Sequence, residues 1–241
     1  MSIVRQTEGY CPCCKQKTTF VAEGYWLRDD YKCLNCHSKP RNRALSKVLK
    51  EICPDYEKLR IHESSPSRRQ IRMQSSACEN YTYSYFYEDL PLGASLEEGG
   101  VNENLEKLTF MDCSFDVFIT QDVMEHVLNP EKAFQEIERV LDWGGIHIFT
   151  TPIYLFEKSR PRVKWDGEKW INILPAVYHG NPISKEGSLV TYDWGDDIAE
   201  FIDSKTNMKT QIYQFFHTQE NFEMGLEADF LQVIVSRKVT I

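Results

Sequence analysis

Residues 115–152 read FDVFITQDVMEHVLNPEKAFQEIERVLDWGGIHIFTTP, and this stretch decides the fold. FDVFIT, residues 115–120, is a short apolar run with the β-branched and aromatic content of a buried strand. Asn129 is a good N-cap, and Pro130 suits the first helical position, where a missing N–H costs nothing. PEKAFQEIERVL then places Ala133, Phe134, Ile137, Val140 and Leu141 on one face, which predicts an amphipathic helix. Gly144 and Gly145 are expected to stop it, and IHIFTTP is the next strand, closed by Pro152. Strand, helix and strand in this order predict a parallel α/β sheet.

The pattern continues on both sides. Upstream, Leu59–His62 reads as a first strand, SRRQIRMQSSA (67–77) as the helix after it, YTYSY (81–85) as a second strand, and FYEDLPLGASLEEGG (86–100) as loop. Downstream, GDDIAEFIDS (195–204) reads as a helix, and KTQIYQFF (209–216) and FLQVIVSRK (230–238) as the last two strands. Between them lies a long, aromatic and charged insertion, 154–194, and a loop of that length in a compact domain is usually functional. Trp165, Trp170, Tyr178 and Tyr192 offer stacking faces there, Arg160, Arg162 and Lys164 could meet a phosphate, and His179 is a base candidate.

The N-terminus carries a different signal. CPCC and CLNC form two CxxC pairs, Cys11/Cys14 and Cys33/Cys36, separated by 18 residues. Each two-residue spacing lets two thiolates of a tight knuckle reach one ion, and two knuckles close the tetrahedral sulfur site that structural zinc prefers. The intervening TTFVAEGYWLRDDYK looks like hairpin material, the outline of a zinc ribbon. Cys13 reads as a spare thiol and His37 as a poor fifth candidate; buried or redox-active thiols are the competing reading. In SKPRNRALSKVLKEI, Leu45, Val48, Leu49 and Ile52 mark an amphipathic helix, with Arg43, Lys47 and Lys50 read as a solvated basic face. The expected division is a zinc-ribbon module at 1–40, a linking helix at 41–57 and the main domain at 58–241, with 154–194 as a cap.

Composition narrows the function. Of 241 residues 41% are hydrophobic, enough for a packed core, but no apolar run approaches the ~20 residues of a membrane span. The first residues, MSIVRQTEGY, lack a secretory apolar core, and with the thiols this points to a reducing cytoplasm. The net charge of −8 divides into +5 over residues 1–60 and −13 beyond, and the acidic body argues against a grip on duplex nucleic acid.

The segment LEKLTFMDCSFD (105–116) followed by 115–152, with its FD strand, EHV turn, RVL-x-x-GG and strand ending in proline, resembles the class I S-adenosylmethionine-dependent methyltransferases of the type often called 11. The zinc module with its S-x-P-R-x-R-A-L tail and the later YHGNPIS, GSLV and DWG look like one bacterial subgroup of them. The resemblance implies a Rossmann-like, seven-stranded sheet. It also implies a first strand ending in Asp/Glu-x-Gly-x-Gly, whose glycines let backbone approach the cofactor. This chain has Glu63-Ser64-Ser65-Pro66-Ser67 there, an acid and no glycine.

Carried onto this sequence, the resemblance assigns cofactor contacts to Glu63, Ser65, Ser84, Tyr85, Asn104, Leu105 and Gln121. His126, in the turn after the fourth strand, is the implied base near the methyl group, with His179 as a second base candidate. Glu63 as a helix cap, Ser84 as a strand-end residue and His126 as a packing residue are the plainer alternatives. Arg160, Trp165 and Tyr178 are the expected acceptor contacts. The expected activity is O-methylation of a small molecule, sugar or glycan precursor, with structural zinc in the ribbon. Two other readings stand beside it: a degenerate fold that binds a protein partner through the zinc module, and an RNA-modifying methyltransferase suggested by the +5 segment.

Overall fold

The computed structural model describes residues 3–68, 76–180, 186–228 and 231–240. The expected helix at 67–77 falls largely on residues 69–75, outside the described ones. At the N-terminus β1 (Arg5–Cys11) pairs antiparallel with β2 (Gln16–Ala22), and β3 (Lys32–Cys33) adds to β2. The first knuckle is therefore the hairpin turn itself, with Cys11 paired to Gln16. The hairpin uses the strand before the knuckle, whereas the sequence pattern had suggested the interval between knuckles; there α1 (Leu27–Asp30) adds one helical turn. Cys11, Cys14, Cys33 and Cys36 bring their sulfurs within 4.8 Å of one another, and Cys13 stays outside the group.

Helix α2 (Pro40–Ile52) follows, and its apolar stripe does not face water. Ala44, Leu45, Val48 and Leu49 pack with Ile61, Val117, Ile119, Ile146 and Ile148 on one face of the main sheet. Arg43 corrects the basic-face reading, since it is fully buried. Its guanidinium donates to the carbonyls of Tyr31, Ser38, Met224 and Gly225, and lies over the rings of Phe20 and Tyr31 at 4.5 and 5.6 Å. The arginine thus joins ribbon, helix and C-terminal segment.

The main sheet contains β4 (Arg60–Ser64), β5 (Asn80–Tyr85), β6 (Val101–Asn102), β7 (Phe115–Gln121) and β8 (Leu141–Thr150). Short strands of the cap follow: β9 (Ile153–Tyr154), β10 (Arg160–Pro161), β11 (Val163–Trp165), β12 (Trp170–Asn172), β13 (Tyr178–His179), β14 (Ser188–Leu189) and β15 (Tyr192–Gly195). Strands β16 (Met208–Gln214) and β17 (Gln232–Lys238) complete the sheet in the order β16-β17-β8-β7-β4-β5-β6. Strands β4 to β8 run parallel, and β17 is antiparallel to both neighbours. This is the expected seven-stranded Rossmann-like sheet.

Helices α3 (Pro130–Val140) and α4 (Ile198–Lys205) cover the other face. Asn129 caps α3 by accepting from the Lys132 amide at 3.1 Å, and Ala133, Phe134, Ile137 and Val140 are fully buried. Each of the larger side chains contributes about 1.5–3 kcal/mol by leaving water. The helix ends at Val140, before the two glycines, and Leu141 already pairs with Phe115. The ladder skips from Leu141 to Ile146, so the glycines form a bulge; Gly144 has φ +77°, and a Cβ on Gly145 would lie 2.9 Å from the Asp142 carbonyl. Among the described residues no helix is long and apolar enough to cross a membrane.

Three titratable groups are built into this sheet. His62 and His147 are fully buried, and burial pushes each pKa from 6.5 down to about 3. Glu63 is also buried, and loss of water pushes its pKa from 4.5 up to about 7 in spite of hydrogen bonds from Tyr81 and Gln121. Between pH 6.5 and 4.5 the unfolded chain binds a proton on each imidazole and the folded chain does not, so stability falls as pH falls. Glu63 opposes this, because the folded chain holds its proton first. Two groups against one leave a net loss of about 1.4 kcal/mol per pH unit. Relative to wild type, the slope of stability against pH from urea unfolding across this window is expected to fall by about 1.4 kcal/mol per pH unit in His62→Gln and to rise by as much in Glu63→Gln; an identical slope in all three proteins would refute the assignment.

Candidate active-site cavity

The strand order reverses between β4 and β7, and their C-terminal ends open into a cavity of about 2130 Å³. Crevices at such switch points are where parallel sheets bind ligands. Both strand ends turn sharply through left-handed residues, Ser65 with φ +56° and Asp122 with φ +53°. Ser65 therefore adopts the backbone conformation that glycine adopts without penalty. Its amide donates to the Ser84 carbonyl at 2.8 Å, which ties the loop to β5. The chain makes this left-handed turn with a serine, and Ser64, Ser65 and Ser67 line the cavity.

The expected cofactor residues divide. Ser65, Tyr85, Asn104, Leu105 and Gln121 all line the cavity. The Tyr85 hydroxyl donates to the Pro66 carbonyl at 2.6 Å, so the ring is fixed against the serine loop. Ser84 lies behind the cavity, its hydroxyl 3.0 Å from His62 Nε2. Glu63 also lies behind it, where its carboxylate accepts from Gln121 Nε2 and Tyr81 Oη, each at 2.8 Å. Gln121 in turn accepts from Asn42 Nδ2 at 2.7 Å. A chain Asn42–Gln121–Glu63 thus runs from α2 to the end of β4.

The ribbon's part in this cavity was not read from the sequence. Trp26, Arg28, Lys32, His37, Lys39 and Arg41 line the same space. Arg28 makes two hydrogen bonds to Asp122, at 2.9 and 2.8 Å, and Arg41 reaches the same carboxylate at 3.1 Å. Those two cations hold Asp122 below the usual carboxylate range although burial opposes ionisation. Lys39 and Arg41 also pair with Asp29. Arg28, Lys39 and Arg41 thus meet the cavity as ion pairs with Asp29 and Asp122.

The base candidates come together. His126 and His179 both line the cavity, with ring centroids 5.3 Å apart and planes at 89°. His126 Nδ1 donates to the Leu189 carbonyl at 2.8 Å, leaving Nε2 3.8 Å from Glu125 Oε1. His179 Nδ1 lies 3.6 Å from the same oxygen, and this carboxylate raises the His179 pKa above its ordinary value. Glu125 is buried, fixed by a 3.0 Å hydrogen bond from Thr151 to Oε2. The cap delivers His179: β13 pairs with β14, and Thr191 beside it donates to the Glu125 and Val127 carbonyls. Glu125 could have been suspected from its place beside His126.

The expected acceptor residues lie elsewhere. Arg160 and Arg162 pair with Asp193 at 3.2 and 2.8 Å, outside the cavity lining. Trp165 packs on Trp170 in the β11–β12 hairpin, and Trp165 and Tyr178 are 54% and 59% exposed. The cap meets the cavity through His179, Gly180, Ser188, Leu189 and Thr191 instead.

Comparison with known proteins agrees with this architecture. Residues 77–149 match the model of a methyltransferase domain family. An S-adenosylmethionine-dependent methyltransferase from Mesorhizobium loti is 17% identical, over 80% of this chain and 97% of that one, with a TM-score of 0.50. The YcgJ protein from Bacillus subtilis is 12% identical, over 83% of this chain and all of that one, with a TM-score of 0.54. A 1,6-didemethyltoxoflavin-N1-methyltransferase from Burkholderia thailandensis, solved with 1,6-didemethyltoxoflavin and S-adenosylhomocysteine, is 11% identical, over 83% of this chain and 79% of that one, with a TM-score of 0.48. No curated protein matches the chain by sequence. Residues 77–149 thus match a methyltransferase-domain model, and the chain as a whole has the fold of solved proteins that include an S-adenosylmethionine-dependent methyltransferase.

Proposed function

We propose that this protein transfers the methyl group of S-adenosylmethionine to a hydroxyl of a small molecule, with a sugar or glycan precursor as the favoured class. One observation carries the reading: the serine loop, Tyr85 and Gln121 share a cavity with His126 and His179. A cofactor site and a base site thus open into one space. Ser65, Tyr85, Asn104, Leu105 and Gln121 would contact the cofactor, and Glu63 would act behind them by holding Gln121. Cofactor and acceptor would meet there, in the alignment that in-line displacement at the methyl carbon needs. S-adenosylmethionine would supply the methyl group: its carbon–sulfur bond would break as the acceptor oxygen bonds the methyl carbon, leaving S-adenosylhomocysteine. The acceptor proton would pass to His179 or His126, which line the same cavity. The four cysteines would hold a structural zinc, as their tetrahedral-type spacing and sulfur donors suit, and a reducing cytoplasm fits their thiols. The ion pairs of Arg28, Lys39 and Arg41 reduce the free positive charge that an RNA grip would use at this cavity.

Calorimetric titration of the zinc-loaded protein with S-adenosylmethionine and S-adenosylhomocysteine tests the reading. Micromolar binding of both is expected. Ser65→Gly should keep affinity within about twofold, because glycine adopts the left-handed turn freely, and Ser65→Val should weaken it at least tenfold, because a β-branched residue resists φ +56°. No binding of either ligand to millimolar concentration would reject the proposed cofactor site.

A further inference from the structure

We propose that Glu125, His126 and His179 form a binding site for a divalent transition-metal ion, separate from the four-cysteine cluster of the ribbon. One ligand atom from each of the three lies within 4.8 Å of the other two. Two imidazoles and one carboxylate are the donor set that suits zinc, iron(II), cobalt and nickel, and three protein ligands leave positions open.

Two further observations point to a ligand. Glu125 Oε1 is buried and has no hydrogen-bond partner, while Oε2 is satisfied by Thr151. A buried carboxylate oxygen left this way costs free energy unless a cation meets it. His126 donates its Nδ1–H to the Leu189 carbonyl, which fixes the tautomer and leaves the Nε2 lone pair facing that same oxygen at 3.8 Å. Lone pair against lone pair is repulsive with nothing between them. A backbone carbonyl behind the ring is also the support that metal-bound histidines usually have. His179 Nδ1 closes the third corner at 3.6 Å from Glu125, carried there by the cap strand β13. The nearby cations Arg28 and Arg41 are both paired to Asp122, at 2.8 and 3.1 Å, and so have a carboxylate of their own.

This site stands on its own geometry; its use rests on the methyl transfer proposed above. There the open positions would take oxygen donors of the acceptor, which favours acceptors with adjacent hydroxyls or a hydroxy-carboxylate. In the loaded state the two imidazoles would serve as ligands, and the ion would act as a Lewis acid that lowers the pKa of a bound hydroxyl, whose proton would pass to solvent water.

Protein with its ribbon zinc in place is titrated with Co²⁺, which binds less tightly than zinc and leaves a zinc-filled tetrathiolate alone. The expected result is one Co²⁺ per chain, read by calorimetry and visible absorption. Glu125→Gln and His179→Ala should each weaken it at least tenfold with zinc content unchanged. Failure of wild-type protein to bind Co²⁺ at millimolar concentration, or equal binding in both variants, overturns the proposal. S-adenosylhomocysteine affinity of the same samples reads the cofactor site separately, so loss of one reading is distinguishable from loss of the other.

Discussion

Cys33→Ser is expected to cost the protein its cofactor affinity together with its metal. The ribbon's own core is only Cys11, Phe20, Ala22, Tyr31 and Cys33, with a few half-buried neighbours. A module that small rarely stands without a metal, and the free energy of metal binding is then folding free energy. Its loss reaches the cavity along two routes. Arg28 and Arg41 hold Asp122 at the end of β7, and Asn42 holds Gln121, which holds Glu63. Arg43 adds an electrostatic link. Ser38 Oγ lies 3.3 Å from Cys11 Sγ and 3.2 Å from Cys36 Sγ, and the buried guanidinium of Arg43 reaches the same serine at 3.5 Å. A zinc tetrathiolate carries net negative charge, and the buried cation beside it is compensated only while the thiolates are held.

Loss of about 4 kcal/mol would lower Tm by roughly 8–16 °C in a chain of this size. S-adenosylhomocysteine affinity should fall at least tenfold and zinc content to near zero. Cys13→Ser is the control, since Cys13 lies outside the cluster, and it should leave all three readings unchanged. If Cys33→Ser does not fold, stepwise chelation of the wild-type protein gives the same comparison: cofactor affinity should fall in proportion to zinc released. Full affinity in zinc-free protein would show that the ribbon wall is dispensable to the cofactor site.

The division between what could and could not be read in the sequence follows the range of the forces. The capped helix after Asn129, six of the seven sheet strands and the cysteine spacing are local or periodic and can be read from the residues, whereas the two-residue β6 is too short for a pattern and the count of seven comes from the family resemblance. His126, His179, Tyr85 and Gln121 reached the cavity because strand ends of a parallel sheet point there. The misreadings are about partners. Ser84 reads as a cofactor contact, with a plain strand-end residue as the alternative, and its hydroxyl lies 3.0 Å from His62 across the ladder. Arg43 reads as a solvated cation, yet carbonyls 181 and 182 residues away receive its protons. Arg160 and Arg162 read as phosphate contacts, yet Asp193 comes back across the cap to neutralise them. The ribbon's place against the cavity rests on the Arg28–Asp122 pair, a contact over 94 residues that no spacing rule encodes.

His179→Ala is expected to lower kcat by about 10²–10⁴ while S-adenosylhomocysteine affinity stays within threefold. The ring lines the cavity and the Glu125 carboxylate sits 3.6 Å behind it, so the substitution removes a group at the reacting end and leaves the serine loop, Tyr85 and Gln121 in place. Glu125→Gln should act in the same direction with less effect on stability, because the amide keeps the volume and can still accept from Thr151, yet cannot hold a proton or a cation between the two rings. Trp165→Ala is the contrast. The ring is half exposed at a hairpin tip outside the cavity, so kcat and affinity should both stay near wild type despite its aromatic invitation. The readout is S-adenosylhomocysteine formed with the acceptor that turns over fastest, beside calorimetry on the same preparations. A fall in kcat for His179→Ala with affinity kept places the chemistry under the cap. An equal fall in affinity and rate assigns the histidine to holding the cap closed, and an unchanged kcat removes His179 from the reaction and leaves His126 as the base.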